Sequence, residues 1–343
     1  MQSISTVGLD IAKSVFQVHG VDAAGQVVVR PQLRRRYVLA FFQKLPPCLV
    51  GIEACASSHH WSRELQGLGH TVRLMPSGLC EALRQAAEER QHRRGGDLRG
   101  GHATQYAVRA DQDVEQQSCL MLHRARHLLI RQQTVVINSI RAYLSEFGIV
   151  APVGRRGVEQ LLEVAADTAD HRLPEVARTC LAALGSQLRA LKAQILEFDR
   201  RIIAWHRSSA TSKRLDAIPA VGPALATALV ASIADPKAFR SGRDFSAWVG
   251  LVPKQNSSGG KDKLGSISKQ GDRYLRSLFT SGALAVIRYA KIHGTDHRPW
   301  LTRLLARRPT KVAAIALANK LARMAWAMMA RNERYKQPAA LAA

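Results

Sequence analysis

Along the first eighty residues, apolar and polar positions alternate between a two-residue rhythm and a three-to-four-residue rhythm. Ser5 to Ile11 predicts a strand that carries Asp10 at its end, and Val15 to Val21 predicts a second. After the turn Ala23-Ala24-Gly25, Gln26 to Arg30 reads as a third strand. Arg34 to Leu45 has helical spacing. Cys48 to Ile52 is an apolar run ending at Glu53, Ser58 to Leu68 a helix and Thr71 to Met75 another strand. The order β-β-β-α-β-α-β predicts an α/β unit, a mixed sheet covered by helices.

The rhythm then becomes helical. Gln117 to Ile149 is one long helical stretch, and a second helix follows Pro174. Along that second helix Leu181, Leu184, Leu188, Leu191, Ile195, Phe198 and Ile202 alternate spacings of three and four, a heptad seam. Such a seam pairs helices either within one chain or between chains, and the pattern fits both. After Arg214, I-P-A-V-G-P-A-L-A-T-A-L predicts helix, tight turn at Gly222 and helix, a hairpin whose second N-terminus offers N–H groups to a phosphate. Helices over Arg273 to Lys291 and Pro309 to Arg331 follow, with a frayed tail at Ala339 to Ala343. The expected organisation is an α/β domain over 1–116, a helical coiled-coil region over 117–207, a mostly α C-terminal domain over 208–335 and a tail over 336–343.

Charge changes the picture. The 343 residues carry a formal net charge of +24, and from Trp205 onward 24 Lys and Arg face only 7 Asp and Glu. A polyanionic partner is the first expectation, with the C-terminal part as its contact face. No run of about eighteen apolar residues predicts a membrane span, and the N-terminus lacks the basic and apolar regions of a secretory signal. The five cysteines are scattered without a C-x-x-C pair, which fits a reducing cytoplasm and argues against a zinc site or a disulfide frame. His59 and His60 are adjacent, poor spacing for one metal, and read as packing or surface residues.

The candidate chemistry lies at opposite ends of the chain. Gly250 to Arg276 reads GLVPKQNSSGGKDKLGSISKQGDRYLR, with Ser257 and Ser258 beside two glycines that allow a close approach to a phosphate backbone. Lys254, Lys261, Lys263, Lys269, Arg273 and Arg276 are its candidate nucleic-acid contacts. Asp10 and Glu53 end strands expected to be neighbours, and two such carboxylates suit a magnesium or manganese ion. No G-x-x-x-x-G-K-[ST] loop implies a motor.

Here a resemblance becomes specific. V-G-L-D-I-A-K, G-I-E-A-C, M-L-H-R-A-R-H-L-L-I-R-Q-Q-T, I-P-A-V-G-P and the whole serine cassette resemble the DEDD-type insertion-sequence transposases, a family that includes the pilin-gene inverting recombinase. The resemblance covers nearly the whole chain. It implies a RuvC- or RNase H-like N-terminal domain, a coiled-coil linker and a C-terminal transposase domain. It also implies a serine nucleophile beside a metal site and, in several members, an element-encoded guide RNA. Carried over residue by residue, Asp10 and Glu53 match the first two acids as metal ligands, and Ser258 matches the nucleophile, with Ser257 one alignment step away.

One segment departs from that pattern. The family's third and fourth acids sit in N-D-x-x-D-A just after the strand ending near Pro76, whereas this chain reads SGLCEALRQAAEERQHRRGGDLRGGHATQYAVRADQD over Ser77 to Asp113. Shifting the reading frame by one base permits V-K-P-Y-V-K-R-Q-K-N-D up to Arg90, with the missing acids falling at Arg90 and Arg93. Two compensating frameshifts around residues 78–113 are therefore expected; the competing reading is a divergent loop with Asp97 as substitute ligand. Cations in place of metal carboxylates would weaken divalent binding, so this polypeptide is expected to be catalytically impaired.

The resulting expectation is a bacterial, nucleoid-associated transposase that uses magnesium or manganese, binds element and target DNA and acts as a dimer or tetramer. The alternatives are a site-specific DNA invertase on the same scaffold, a RuvC-like junction nuclease that uses water, and a DNA-binding remnant.

Overall fold

A computed structural model describes residues 4–75, 111–256, 263–294 and 298–335. The chain opens with β1 (Thr6–Ile11), β2 (Val15–Val21), β3 (Val27–Val29) and β4 (Gln32–Arg34), then α1 (Val38–Phe42), β5 (Leu49–Glu53), α2 (Ser58–Gly67) and β6 (Thr71–Met75). The sheet runs β3-β2-β1-β5-β6, with β4 also paired to β2. The β1–β2 pair is antiparallel, while β1–β5 and β5–β6 are parallel. This is the expected mixed sheet.

Period-two alternation decides which face is buried. Val7, Leu9, Phe16, Val18, Val50, Ile52 and Leu74 join Val38, Phe42, Trp61 and Leu65 from α1 and α2 in one apolar cluster. Each large side chain fully buried there contributes about 1.5–3 kcal/mol. The helix expected over Arg34 to Leu45 is shorter than its pattern. Gln32–Arg34 pairs with β2 instead, and Arg35–Tyr37 forms a 3₁₀ turn, so only Val38–Phe42 is α-helical.

Two long helices follow. α3 (Val114–Ser145) starts at a capping box in which Asp113 Oδ1 accepts from Gln116 N at 2.6 Å and Gln116 Oε1 accepts from Asp113 N at 3.1 Å. α4 (Arg155–Ala166) is not among the expected helices, although Val158, Leu161 and Ala165 are buried at helical spacing. Gly157 within it passes so near Pro152 that a Cβ would lie 1.8 Å from the Pro152 carbonyl oxygen. α5 (Glu175–Ser208) carries the heptad seam, which the pattern leaves open between intrachain and interchain pairing. Leu181, Leu188 and Leu191 bury against Val136, Ile140 and Leu144 of α3 and Val158 and Leu161 of α4, so the first half of the seam is occupied within the chain, while Ile195 and Phe198 beyond it are half-exposed.

The C-terminal unit comprises α6 (Ala210–Leu215), α7 (Pro223–Ser232), α8 (Gly242–Val249), the hairpin β7 (Pro253–Gln255) and β8 (Leu264–Ile267), α9 (Arg273–His293), α10 (Pro299–Arg307) and α11 (Thr310–Arg331). α11 is long and apolar enough to cross a membrane by length and composition alone. Its Ala313, Ala314, Leu317, Ala318, Leu321, Ala322 and Ala325 are buried, and the helix packs on α6, α8, α9 and α10, so its hydropathy is that of a central core helix.

Candidate active site

The parallel β1–β5 register runs Thr6↔Leu49, Val7↔Val50, Gly8↔Gly51 and Leu9↔Ile52. The next residues along the two strands are Asp10, the penultimate residue of β1, and Glu53, the last of β5, on adjacent strands about 4.8 Å apart. Alternation directs them away from the face that buries Leu9 and Ile52. On their own face the preceding cross-strand row is the glycine pair Gly8 and Gly51, flanked by His19 of β2 and Arg73 of β6. Two half-exposed carboxylates with hard oxygen donors fit a divalent cation that keeps several waters. Among the described residues no cluster of three or more His, Cys, Asp or Glu completes a larger metal site. Arg90, Arg93 and Asp97 lie outside the described residues.

The basic cassette is built on a different cluster. α8 ends at Gly250, whose left-handed φ of 83° turns the chain into β7. β7 and β8 pair antiparallel through Pro253↔Ile267 and Gln255↔Leu264, and Asn256 N donates to Lys263 O at 2.9 Å. Lys254, Lys263, Lys269 and Arg273 are exposed around this hairpin. Ser257, Ser258 and Lys261 lie outside the described residues. Arg276 also braces the cassette from beneath. Its Nη1 donates to Val249 O at 2.8 Å and to Gln270 O at 3.2 Å, tying the end of α8 to the segment after β8. At the base of the cassette Gly271 has φ 84°, and Asp272 Oδ1 caps α9 by accepting from Leu275 N at 2.9 Å.

Residues 111–117 join the sheet unit to the C-terminal unit. On one side Asp111 Oδ2 accepts from Ser62 Oγ at 2.5 Å and also from Gln66, while Arg63 donates to Gln112 O at 2.8 Å and Gln112 N donates to His59 Nδ1 at 3.2 Å. On the other side the Gln112 amide donates to Ala231 O and Ser232 O at 3.2 and 3.1 Å, and Gln116 donates to Val230 O at 2.9 Å. Helix α7 thus receives donors for its last carbonyls from the start of α3. Gln112→Ala is expected to lose about 1–3 kcal/mol at this junction. Hydrogen exchange should then rise in α2 and residues 111–117 while α9 keeps its protection; unchanged exchange would rule the junction out as the tie.

A second tie is buried. His123 of α3 meets Tyr274 Oη at 3.0 Å through Nδ1 and Thr227 Oγ1 at 2.9 Å through Nε2. Because the Thr227 hydroxyl donates to Pro223 O at 2.7 Å, it accepts from His123 Nε2–H, and Nδ1 accepts from the Tyr274 hydroxyl. Burial, then the nearby Arg126 charge, pushes His123 down to about 4, and burial pushes Tyr274 up. The unfolded chain therefore takes up a proton below about pH 6.5 that the folded chain refuses until about 4, and stability falls with pH across that window by up to about 3 kcal/mol. Urea unfolding at pH 7 and pH 5 should show a smaller pH loss in His123→Gln than in the parent.

Sequence reasoning singles out neither Gln112 nor His123. The M-L-H-R-A-R-H string holds the only signal, a histidine three residues before an arginine on one helix face.

Residues 212–298, which span α7, α8, the hairpin and α9, match the model of the transposase family IS116/IS110/IS902. A probable family 20 transposase of Pseudomonas aeruginosa is 43% identical over 336 residues, covering 97% of this chain and 99% of the relative. The chain belongs to the IS116/IS110/IS902 transposase family. The transposases for insertion sequence elements IS1328 of Yersinia enterocolitica and IS1111A of Coxiella burnetii are each 32% identical, over 95% and 98% of this chain and 97% and 92% of their own lengths. The transposase thus aligns with its relatives through the sheet unit and the long helices as well as the cassette.

Proposed function

We propose that this transposase mobilises an insertion sequence through a composite site, with the acidic pair Asp10 and Glu53 from a RuvC-like sheet and the serine nucleophile from the cassette. The observation that carries the reading is the β1–β5 register, which makes the two acids neighbours beside a glycine row. The strand order, an antiparallel meander followed by parallel strands, supports the RuvC-like assignment.

In this reading the Ser258 hydroxyl oxygen attacks a DNA phosphorus, the phosphodiester bond to one sugar oxygen breaks, and that oxygen leaves with a proton. The resulting phosphoserine ester conserves the bond energy, so reversal onto a second strand rejoins DNA without ATP. A magnesium or manganese ion held by Asp10 and Glu53 would stabilise charge on the phosphate and the leaving oxygen. Lys254, Lys261, Lys263, Lys269 and Arg273 neutralise phosphates around the serine, giving affinity that falls steeply with salt. Arg276 contributes mainly by holding the hairpin base. A dimer or tetramer follows from the need to cut and join several strands, and an element-encoded guide RNA remains part of the family reading.

The reading also includes impairment of this chain by the segment over 78–113. The test is cleavage of element-end DNA across a magnesium titration, by the chain as it stands and by one with 78–113 re-encoded in the shifted frame. Re-encoding should raise cleavage by roughly a hundredfold or more, comparable to completing a metal site, and Asp10→Asn should abolish the gain. Full activity of the unaltered chain would refute the impairment, and activity indifferent to Asp10→Asn would refute the metal reading.

A further inference from the structure

The sheet face that carries the acids continues past them on one side. Asp10 pairs with Gln17 of β2, and Gln17 pairs in turn with Gln32 of β4. Directly opposed residues on neighbouring strands share a face. Gln32, Gln17, Asp10 and Glu53 therefore form one row across four strands, about 14 Å long. Arg34 opposes Val15 two residues further along β4, on that same face. Leu33 between Gln32 and Arg34 turns the other way and packs against the apolar cluster under the sheet. Arg34 thus lies roughly 12 Å from Asp10, two strand spacings across and two residues along. That step takes it past the carboxyl end of β1, the edge at which open α/β sheets bind ligands.

The other side of the acids is closed. Met75 of β6 opposes Glu53, and its methyl carbon lies 2.6 Å from where a Cβ on Gly51 would stand. An apolar side chain thus roofs the sheet between β5 and β6. Over Gly8, by contrast, a Cβ would meet nothing nearer than 3.8 Å among the described residues. Gln17, Gln32 and Arg34 are exposed. Within the triplet Arg34-Arg35-Arg36, strand register directs Arg34 to the acid face, while the other two are engaged by rings. The Arg35 guanidinium lies 5.2 Å from the Trp61 ring and 5.8 Å from the Phe16 ring, and that of Arg36 lies 4.7 Å from the Tyr37 ring.

This asymmetry suits a nucleic-acid backbone that passes the acids in one direction. Glutamine amides donate to phosphate and sugar oxygens, and a guanidinium grips a phosphate through two parallel N–H bonds. At about 3.4 Å per phosphate along a strand, Arg34 meets the backbone three to four nucleotides from the acids. We propose that Arg34, with Gln17 and Gln32, is a backbone-binding subsite that positions the DNA strand whose phosphate reacts at Asp10 and Glu53. The inference rests on the reading of those acids as the metal pair and adds which way the strand runs across the sheet.

The test is fluorescence anisotropy of labelled element-end DNA against salt, with the full chain and its variants. Arg34→Ala should weaken binding roughly three- to tenfold and make the slope of log K against log salt shallower by about one, because one phosphate contact is lost. Arg34→Lys keeps the charge and should restore the slope. Gln17→Ala with Gln32→Ala should weaken binding about two- to threefold and leave the slope unchanged, since neutral donors release no counterion. Lys44, exposed just beyond α1, is the control, and Lys44→Ala should alter neither quantity. The subsite is overturned if Arg34→Ala keeps the parent's slope, or if Lys44→Ala lowers it equally. The same titration with an RNA strand of matching sequence separates the sources, and a slope change with RNA alone overturns the assignment to DNA. Cleavage by the re-encoded chain keeps the subsite apart from the metal reading. If Asp10→Asn spares cleavage while Arg34→Ala flattens the slope, the metal pair falls and Arg34 stands as a DNA contact. If Asp10→Asn abolishes cleavage and Arg34→Ala keeps the slope, the subsite falls and the metal pair stands.

Discussion

Ser258→Ala, made in the chain whose 78–113 segment is re-encoded, is expected to abolish strand transfer and the covalent protein–DNA adduct together. The loss should be about a thousandfold or more, since removal of a nucleophile eliminates the reaction path and not merely a binding contact. Ser257→Ala should cost far less and retain the adduct. An adduct trapped on denaturing gels from the Ser257 variant but absent from the Ser258 variant assigns the nucleophile; the reverse pattern transfers the role to Ser257. Retention of cleavage without an adduct in both variants would instead favour the junction nuclease that uses water. Binding of element-end DNA should persist in Ser258→Ala, because the exposed cations around the hairpin are untouched.

Gly271→Ala should be the most damaging single change at the base of the cassette. A Cβ there would stand 1.7 Å from Trp248 O and 2.9 Å from its carbonyl carbon, both backbone atoms, and the residue's φ of 84° is one that L side chains rarely adopt. Neither the helix end nor the turn can yield without breaking the Arg276 bonds to Val249 O and Gln270 O. The expected cost is about 3–5 kcal/mol, or a fall in the C-terminal unit's Tm of roughly 10–20 °C. Gly265 is the internal control. A Cβ there would meet the Asn256 side-chain amide at 2.7 Å, at a residue whose φ is not positive, and that exposed amide can swing away. Gly265→Ala should therefore shift Tm little. Equal shifts in the two variants would show that the Gly271 turn is not what holds the cassette.

Strands whose alternation is clean are legible in the sequence. Val15–Val21 and Thr71–Met75 occur over the residues their pattern predicts, and Asp10 and Glu53 lie on neighbouring strands as expected, with β1 running one residue beyond Asp10. Helices α4 and α8 are not among those expected, although Val158, Leu161 and Ala165, and Phe245 and Val249, recur at helical spacing on their buried faces; Gly157 and Gly242, which pack against Pro152 and against Trp326 and Arg323, interrupt that rhythm. The junction is invisible for a different reason. Gln112 acts through carbonyls more than a hundred residues away, and no local rhythm marks a side chain for such a partner. Arg276 reads as one more cation of the cassette, and only the hairpin geometry shows it bound to two carbonyls. The assignment of Ser258 rests on family resemblance, as that position lies outside the described residues.

Four apolar clusters among the described residues decide how the molecule comes apart. One sits under the sheet, one between α3, α4 and α5, one around α11, and a small one of Cys119, Leu120 and Ala231 ties α3 to α7, while the sheet is joined to the C-terminal unit through amides and the Asp111 carboxylate. A seam of hydrogen bonds transmits less cooperativity than continuous apolar packing, so denaturation should proceed in separable steps with no single unfolding free energy for the whole. The pieces can loosen from one another while each keeps its own core. Opening at such a polar joint costs far less than melting a domain, so the sheet unit can swing away from the C-terminal unit without either unfolding.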